Sequence, residues 1–129
     1  EFSVTARAET LDGAHVAEKT IAIDPVDPRV LIYEEVPLSG VLFNRAVRSA
    51  YRFDAEETVL IAYPMFVNSL AALAYEWTVN GRPFTEPAVT PFISFKKQGD
   101  VSGTQTIALS FKNPYASSER GNTTFRLEY

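Results

Sequence analysis

Short segments in which apolar and polar side chains alternate one by one recur along most of this sequence. In segment 73–79, large apolar side chains occupy every odd position, and alanine, glutamate and threonine lie between them. Because successive side chains of a β-strand point to opposite faces, this period of two predicts a strand with one buried face. Segments 2–8, 106–111 and 123–129 repeat the pattern. The chain is therefore constrained to build its core from strands.

Two further patterns complete the prediction of an all-β fold. Segments 30–34 and 58–67 are almost continuously apolar, as expected of strands covered on both faces, and segment 89–96 adds another candidate strand. Asp12-Gly13 and Asn80-Gly81 each separate two strand-like segments, and such pairs favour tight hairpin turns. About nine short strands at regular spacing are typical of a sandwich or barrel. Only segments 42–50 and 69–73 suggest short helices, each with an irregular connection as the alternative.

Two closely spaced prolines divide the chain. The segment Asp24-Pro25-Val26-Asp27-Pro28 cannot take part in a regular ladder, so we expect residues 25–28 to form a stiff connector. Residues 1–24 then form one β-hairpin, and residues 29–129 match the size of an immunoglobulin-type sandwich, about 100 residues. The hairpin either supplies the first two strands of one larger sandwich or is the closing hairpin of a preceding module; we favour the second. Since the sequence begins without an initiator methionine or a leader, we expect a processed chain or a piece of a longer one.

Composition narrows the classes of function. With 16 acidic against 12 basic residues the net charge is −4, which leaves no basic excess to neutralise nucleic-acid phosphates. The absence of cysteine excludes disulfides, thiolate metal sites and cysteine nucleophiles, and the single histidine excludes a site that needs two imidazoles. No apolar segment reaches the roughly 18 residues needed to span a bilayer. We therefore expect no nucleic-acid partner and no transmembrane segment in this chain.

The region around the only tryptophan carries a family resemblance. Segment 75–81, Tyr-Glu-Trp-Thr-Val-Asn-Gly, resembles the aromatic-x-Trp-x-x-Asn-Gly pattern of bacterial immunoglobulin-like and PKD-like surface modules. Segment 103–109 is similar to their later Gly-x-x-x-Ile-x-Leu strand, and the resemblance covers roughly residues 29–129. It implies an antiparallel immunoglobulin-like β-sandwich with an additional N-terminal β-hairpin. Trp77 would be the core anchor, and the strand alternation adds Tyr75, Leu109 and Phe111 to the core.

A narrower similarity points to a location. Ile32-Tyr33-Glu34, Pro37-Leu38-Ser39-Gly40, segment 42–46 and Lys112-Asn113-Pro114 look like multi-domain surface proteins of candidate-phylum bacteria, which have no assigned function. The resemblance implies an extracellular or cell-surface location in a bacterium. It carries a fold rather than an activity, because one fold serves many functions.

Acidic residues and the single histidine are the candidate catalytic groups. Glu34-Glu35 and Glu56-Glu57 are neighbours in sequence, which on a strand point to opposite faces, so neither pair converges on one atom as glycoside hydrolysis requires. A serine triad would have to use His15, and no Gly-x-Ser-x-Gly nucleophile elbow accompanies it. We therefore expect a protein that is not an enzyme and has no catalytic residues.

Calcium is the one cofactor that the sequence leaves open, because oxygen ligands at a module junction require neither cysteine nor histidine. Asp24 and Asp27 flank the connector. Folding would have to bring further acids near them, from among Asp54, Glu56, Glu57 and Asp100. No Asp-x-Asp-x-Asp-Gly loop is present, so the alternative is that Asp24 and Asp27 are turn residues.

Aromatic residues next to turns are the candidate ligand-binding residues. Phe84, Phe92 and Tyr115 each follow a proline and lie nearest the predicted turns. A sugar or a peptide would use such exposed rings, and packing of each ring over a loop is the alternative.

These observations leave two functions from different classes. The first is a non-catalytic structural or adhesive module of a bacterial cell-surface or extracellular multi-domain protein, in which stacked modules act as spacers or form a fibre. Its partners would be neighbouring modules of the same chain or another surface protein, and exposed edge strands offer association with another copy. The alternative is a carbohydrate- or peptide-binding accessory domain of a secreted protein. An enzymatic function has the least support, because no convergent acid–base set is visible.

Overall fold

Strands account for most of the protein, as the alternation predicts. The structure, a computed structural model, describes residues 2–85, 90–97, 99 and 102–129. This part of the chain contains eleven strands, one 3-10 turn at Leu70–Ala72 and no α-helix, so the all-β prediction is confirmed. Nor does it contain any helical segment with the length and apolar character needed to cross a lipid bilayer. The strands are β1 (Phe2–Glu9), β2 (Val16–Ile23), β3 (Arg29–Val36), β4 (Gly40–Val41), β5 (Ala50–Arg52), β6 (Glu57–Met65), β7 (Ala74–Val79), β8 (Arg82–Pro83), β9 (Phe92–Lys96), β10 (Thr104–Asn113) and β11 (Ala116–Glu128).

Both predicted hairpin turns are present. Asn80 and Gly81 have φ angles of 51° and 77° and join β7 to β8, which is the conformation that a type I′ turn requires. Gly13, with φ of 67°, lies in the turn between β1 and β2, which pair antiparallel along their full length. Of the strand predicted for segment 89–96, the structure gives β9, and Val89 lies outside the described residues.

The helix predicted for segment 42–50 is wrong. The backbone N–H of Val47 donates to the carbonyl of Ile32 at 2.8 Å, which forms an isolated bridge to β3. On the other side, the carbonyl of Ser49 accepts from the N–H of Arg126 at 3.0 Å, and β5 begins at the next residue. The backbone of this segment is thus hydrogen-bonded to strands that are distant in sequence, and this tertiary context overrides the helical spacing of its apolar residues.

Two larger sheets pack around one core. The four-stranded sheet has the order β4-β3-β6-β9, and the five-stranded sheet has the order β5-β11-β10-β7-β8. Every pairing in them is antiparallel except β5 with β11, which is parallel. Alternate residues of both sheets meet in a shared core, in which the most deeply buried side chains are Ile32, Leu60, Ile93, Ile107, Leu109, Phe125 and Leu127.

The sandwich has two opposite ends. At the connector end, defined by the Arg29–Met65 pair and the β10–β11 turn, the chain leaves the connector and begins β3. At the far end, defined by the Glu57–Lys96 pair, the ring of Tyr129 lies 6.1 Å from that of Phe53. The nine residues of β6 join the two ends and span roughly 26 Å.

β1 and β2 form a separate two-stranded sheet. Neither strand joins a larger sheet, and every residue of both strands is exposed. In the described structure the hairpin therefore does not supply the first two strands of a larger sandwich.

Candidate functional site

An aromatic cluster, Tyr33, Phe43 and Tyr63, lies on the outer face of the four-stranded sheet. Core residues of β3 and β6 occupy even positions, such as Ile32 and Leu60, so the two tyrosines point away from the core. The Phe43 ring, from the loop after β4, meets both edge to face, with centroid distances of 5.3 Å to Tyr33 and 5.0 Å to Tyr63. Phe43 is 57% exposed, whereas Tyr63 is half-buried and Tyr33 is 8% exposed, so Phe43 is the ring of the cluster that faces solvent.

Of the predicted ligand-binding residues, only Phe92 lies on this face. It is 42% exposed and pairs with Ile61 on the outer side of β6. Phe84 is partly buried against the core, with its ring 6.5 Å from that of Phe95. Tyr115 is 91% exposed on the β10–β11 turn. The three residues therefore lie on three different surfaces and do not form one site.

Sequence reasoning missed all three rings of the cluster. Phe43 lies in the segment predicted to be helical, and Tyr33 and Tyr63 lie in segments predicted to be covered on both faces. One signal was available: Tyr33 and Tyr63 occupy odd positions in segments whose even positions carry the aliphatic core. Because the side chains of a strand alternate between its two faces, both rings are expected on the outer face of the sheet.

The structure does not bring the predicted metal ligands together. Asp24 and Asp27 are exposed in the connector, whereas Asp54, Glu56 and Glu57 lie near the far end of the sandwich. Asp100 lies outside the described residues. Within the described ranges, no group of three or more His, Cys, Asp or Glu side chains could hold a metal ion. The structure thus supplies no assembled ligand set for the calcium hypothesis.

The predicted acid–base candidates are also apart. His15 lies in the exposed β1–β2 turn, where its backbone N–H donates to Thr10 Oγ1 at 3.1 Å. Glu34 pairs with Arg45 at 3.4 Å, and Glu35 lies next to it on the opposite face of β3.

At the far end, a cavity of about 370 Å³ is lined by Asp54, Glu56, Lys96, Lys97 and Gly99. Its charges of both signs are interleaved, so it has no single-sign field to attract a charged ligand.

A buried carboxylate, Glu119 on β11, ties the connector end together. One of its oxygens accepts hydrogen bonds from the backbone N–H of Asn68, at 3.1 Å, and from the Asn68 side-chain amide. The other oxygen accepts from the Asn113 side-chain amide at 2.8 Å, and Asn113 Oδ1 accepts from the N–H of Tyr115 at 2.9 Å. Within the described part of the chain, all donors to Glu119 are amides, so this arrangement holds two loops together and offers no partner for proton transfer.

Among the residues that the structure describes, four side chains have shifted pKa values. Hydrogen bonds from the Asn113 side chain and the Asn68 backbone lower the pKa of Glu119, and the Thr10 hydroxyl and the Ala14 N–H lower that of Asp12. Burial raises the pKa values of the Tyr51 and Tyr75 phenols. A carboxyl shifted down and a phenol shifted up both move away from neutral pH, where a general acid or base has to titrate.

Replacement of Glu119 by glutamine is expected to remove a pH-dependent part of the stability. Because the folded-state pKa lies below the ordinary value of 4.5, the carboxylate stabilises the fold above that value. This stabilisation is lost as the pH falls through the folded-state pKa. The melting temperature of Glu119→Gln should therefore lie below that of the wild type at pH 7, and the difference should shrink on acidification. Thermal unfolding followed by circular dichroism between pH 7 and pH 3 measures it.

The matched control is Asp12→Asn. Asp12 also has a lowered pKa, but it lies in the exposed turn of the separate hairpin, so its loss should leave the melting of the sandwich unchanged at each pH. A difference between wild type and Glu119→Gln that stays constant from pH 7 to pH 3 would show that the charge of Glu119 is not involved.

Comparisons with protein-family models, with curated proteins and with solved structures found no match to this chain. The immunoglobulin-like and PKD-like resemblance thus stays a prediction from the residues of segments 75–81 and 103–109. The all-β architecture rests on the strand pairing described above.

Proposed function

We propose that this chain is a non-catalytic structural or adhesive module of a bacterial cell-surface or extracellular multi-domain protein, in which modules in series act as a spacer or a fibre. The observation that carries the proposal is the division of the described chain into a two-sheet sandwich with its own core and a separate hairpin whose strand residues are all exposed. A sandwich with its own core, joined by a short connector to a further β-element, is the arrangement expected of modules in series.

The chemistry of the side chains supports a module without catalysis. The predicted acid–base candidates do not converge on one site, and the donors to Glu119 among the described residues are amides. The fold is held instead by a shared apolar core that includes Trp77, Leu109 and Phe111, so it needs no disulfide. The PKD-like resemblance supports the surface location.

The test uses cells that produce the full polypeptide encoded by the gene from which this chain comes, referred to below as the encoded polypeptide. An antibody raised against this chain is expected to label intact, unpermeabilised cells. Mass spectrometry of the labelled protein is expected to find further β-patterned modules joined to this one. Labelling that requires permeabilisation would rule out a surface location, and a polypeptide without further modules would rule out a modular stalk.

The aromatic cluster favours a second candidate function, the binding of carbohydrate or peptide. Exposed rings next to polar groups are typical of such sites, and on this face of the sheet Phe43 and Phe92 are 57% and 42% exposed. A glycan array and a peptide library probed with the wild-type chain should then give a ligand whose binding is lost in Phe43→Ala. Tyr115→Ala is the matched control, because Tyr115 is exposed on a different surface. A wild-type chain that retains no probe would rule this function out.

A further inference from the structure

The separate hairpin has one apolar face. Strand pairing places Phe2 opposite Ile23 and Val4 opposite Ile21, and paired residues of antiparallel strands point to the same side. These four side chains are between 48% and 66% exposed. Ala6, Ala8 and Ala17 continue the face toward the turn, and Lys19 carries its one charge. The other face is mostly polar, with Ser3, Thr5, Arg7, Glu9, Val16, Glu18, Thr20 and Ala22.

The closing hairpin of the sandwich, β10 with β11, shares part of this pattern. Ile107 lies opposite Phe125, and both are buried. When the pair Val4–Ile21 is placed on Ile107–Phe125, Ile23 falls on the buried Leu127 and Ala6 on the buried Leu109, whereas Phe2 falls on Gln105 and Lys19 on Thr123. Segments 20–24 and 124–128 then share the order threonine, apolar, variable, apolar, acid. In this chain such a face packs against the apolar inner face of the four-stranded sheet.

The size of the hairpin face decides what kind of partner covers it. Two strands of eight residues present roughly 250 Å² on one face. Stable association of separate proteins buries about 800 Å² on each partner, so this face alone does not hold a second, free molecule. A partner on the same polypeptide needs no such area, because the tether supplies a high effective concentration.

The sandwich of a second copy is also a poor partner. Its four-stranded sheet is already covered by its own closing hairpin, in which Phe111, Phe125 and Leu127 are buried. The hairpin face instead fits a sheet whose apolar inner face lacks two closing strands.

We infer that the apolar face of β1 and β2 closes the sandwich of a neighbouring module on the same polypeptide. The partner of this face is an open β-sheet with an aliphatic and aromatic inner face. The hairpin packs on that sheet as β10 and β11 pack on the four-stranded sheet of this chain. This inference rests on the proposed function and deepens it by naming the contact between modules. Exposed Met65 and Phe66 lie beside the connector, with the Arg29 guanidinium 5.2 Å from the Phe66 ring centre, and give the neighbouring module an apolar surface to contact.

Hydrogen exchange of the hairpin amides tests the inference in two proteins, this chain and the full encoded polypeptide. An isolated two-stranded hairpin is marginally stable, so its amides should exchange rapidly in this chain. In the encoded polypeptide their exchange should be at least about a thousandfold slower, because these amides open only when a whole module unfolds.

Two valine-to-threonine variants separate the faces of the hairpin. Val4 and Val16 are 55% and 53% exposed, and they lie on opposite faces. Neither Val4→Thr nor Val16→Thr should change the melting of this chain. In the encoded polypeptide, Val4→Thr should accelerate exchange at Ile21 at least about tenfold, because it places a hydroxyl in an apolar interface. Val16→Thr should leave that exchange unchanged.

Three outcomes would overturn the inference. The first is equally fast exchange in both proteins; if flanking modules are nevertheless present, the proposed function stands and only the contact fails. The second is an encoded polypeptide that has no module before the hairpin. If that polypeptide also has no module after the sandwich, the proposed function fails together with the inference. The third is a dimer of this chain that Val4→Thr dissociates in light scattering, which would identify a second copy as the occupant.

Discussion

Replacement of Trp77 by alanine is expected to lower the free energy of unfolding by about 3–5 kcal/mol. Trp77 is 4% exposed and lies on β7 opposite Leu109 of β10, the central strand of the five-stranded sheet. Removal of the indole leaves a cavity between the sheets and also removes the hydrogen bond from Trp77 Nε1 to the Thr90 carbonyl, 3.1 Å long. Because small domains are stable by only about 5–15 kcal/mol, this loss is a large part of the total.

Urea denaturation followed by far-ultraviolet circular dichroism measures the effect, since the variant has no tryptophan to report by fluorescence. Tyr115→Ala is the control: it also truncates an aromatic ring, but one that is 91% exposed, and should change stability by less than about 0.5 kcal/mol. Equal denaturation midpoints for Trp77→Ala and Tyr115→Ala would mean that Trp77 does not anchor the core.

Trp77 illustrates what the sequence alone can predict. Its alternating neighbours and the following Asn80-Gly81 turn are local signals, and the structure has the strand, the buried ring and the turn that they predict. The hairpin at Asp12-Gly13 was predictable for the same reason. Local patterns succeed where the determining residues lie within a few positions of one another.

Features set by distant residues were not predictable in this way. The parallel pairing of β5 with β11 joins residues 50–52 to residues 126–128, and no local pattern indicates such a partner. Glu119 lies in a polar stretch of β11, yet it is buried, and its carboxylate accepts a hydrogen bond from Asn68, 51 residues earlier in sequence. The aromatic cluster was missed for the same reason, since Phe43 reaches Tyr63 only after the loop folds back over the sheet.

Gly121→Ala is expected to destabilise the sandwich by about 1–3 kcal/mol through overpacking. Gly121 lies opposite Phe111 in the β10–β11 ladder, and an added Cβ would lie 2.7 Å from Phe111 Cε1 and 3.2 Å from the backbone oxygen of Pro28. Phe111 is 2% exposed, so its ring has little room to move. Alanine also restricts the unfolded chain, which offsets only about 0.4–1 kcal/mol of the loss.

The double variant Gly121→Ala with Phe111→Leu distinguishes this contact from a general effect of alanine in the strand. A shorter side chain at position 111 relieves the clash, so the two substitutions should be coupled by about 0.5–3 kcal/mol in urea denaturation. Asn122→Ala, at the neighbouring exposed position, should change stability by less than about 0.5 kcal/mol. Additive effects of the two substitutions would show that Phe111 and Gly121 are not in contact. Coupling would show that the Phe111 ring occupies the space beside Gly121, so that this position of the closing hairpin has room only for a glycine.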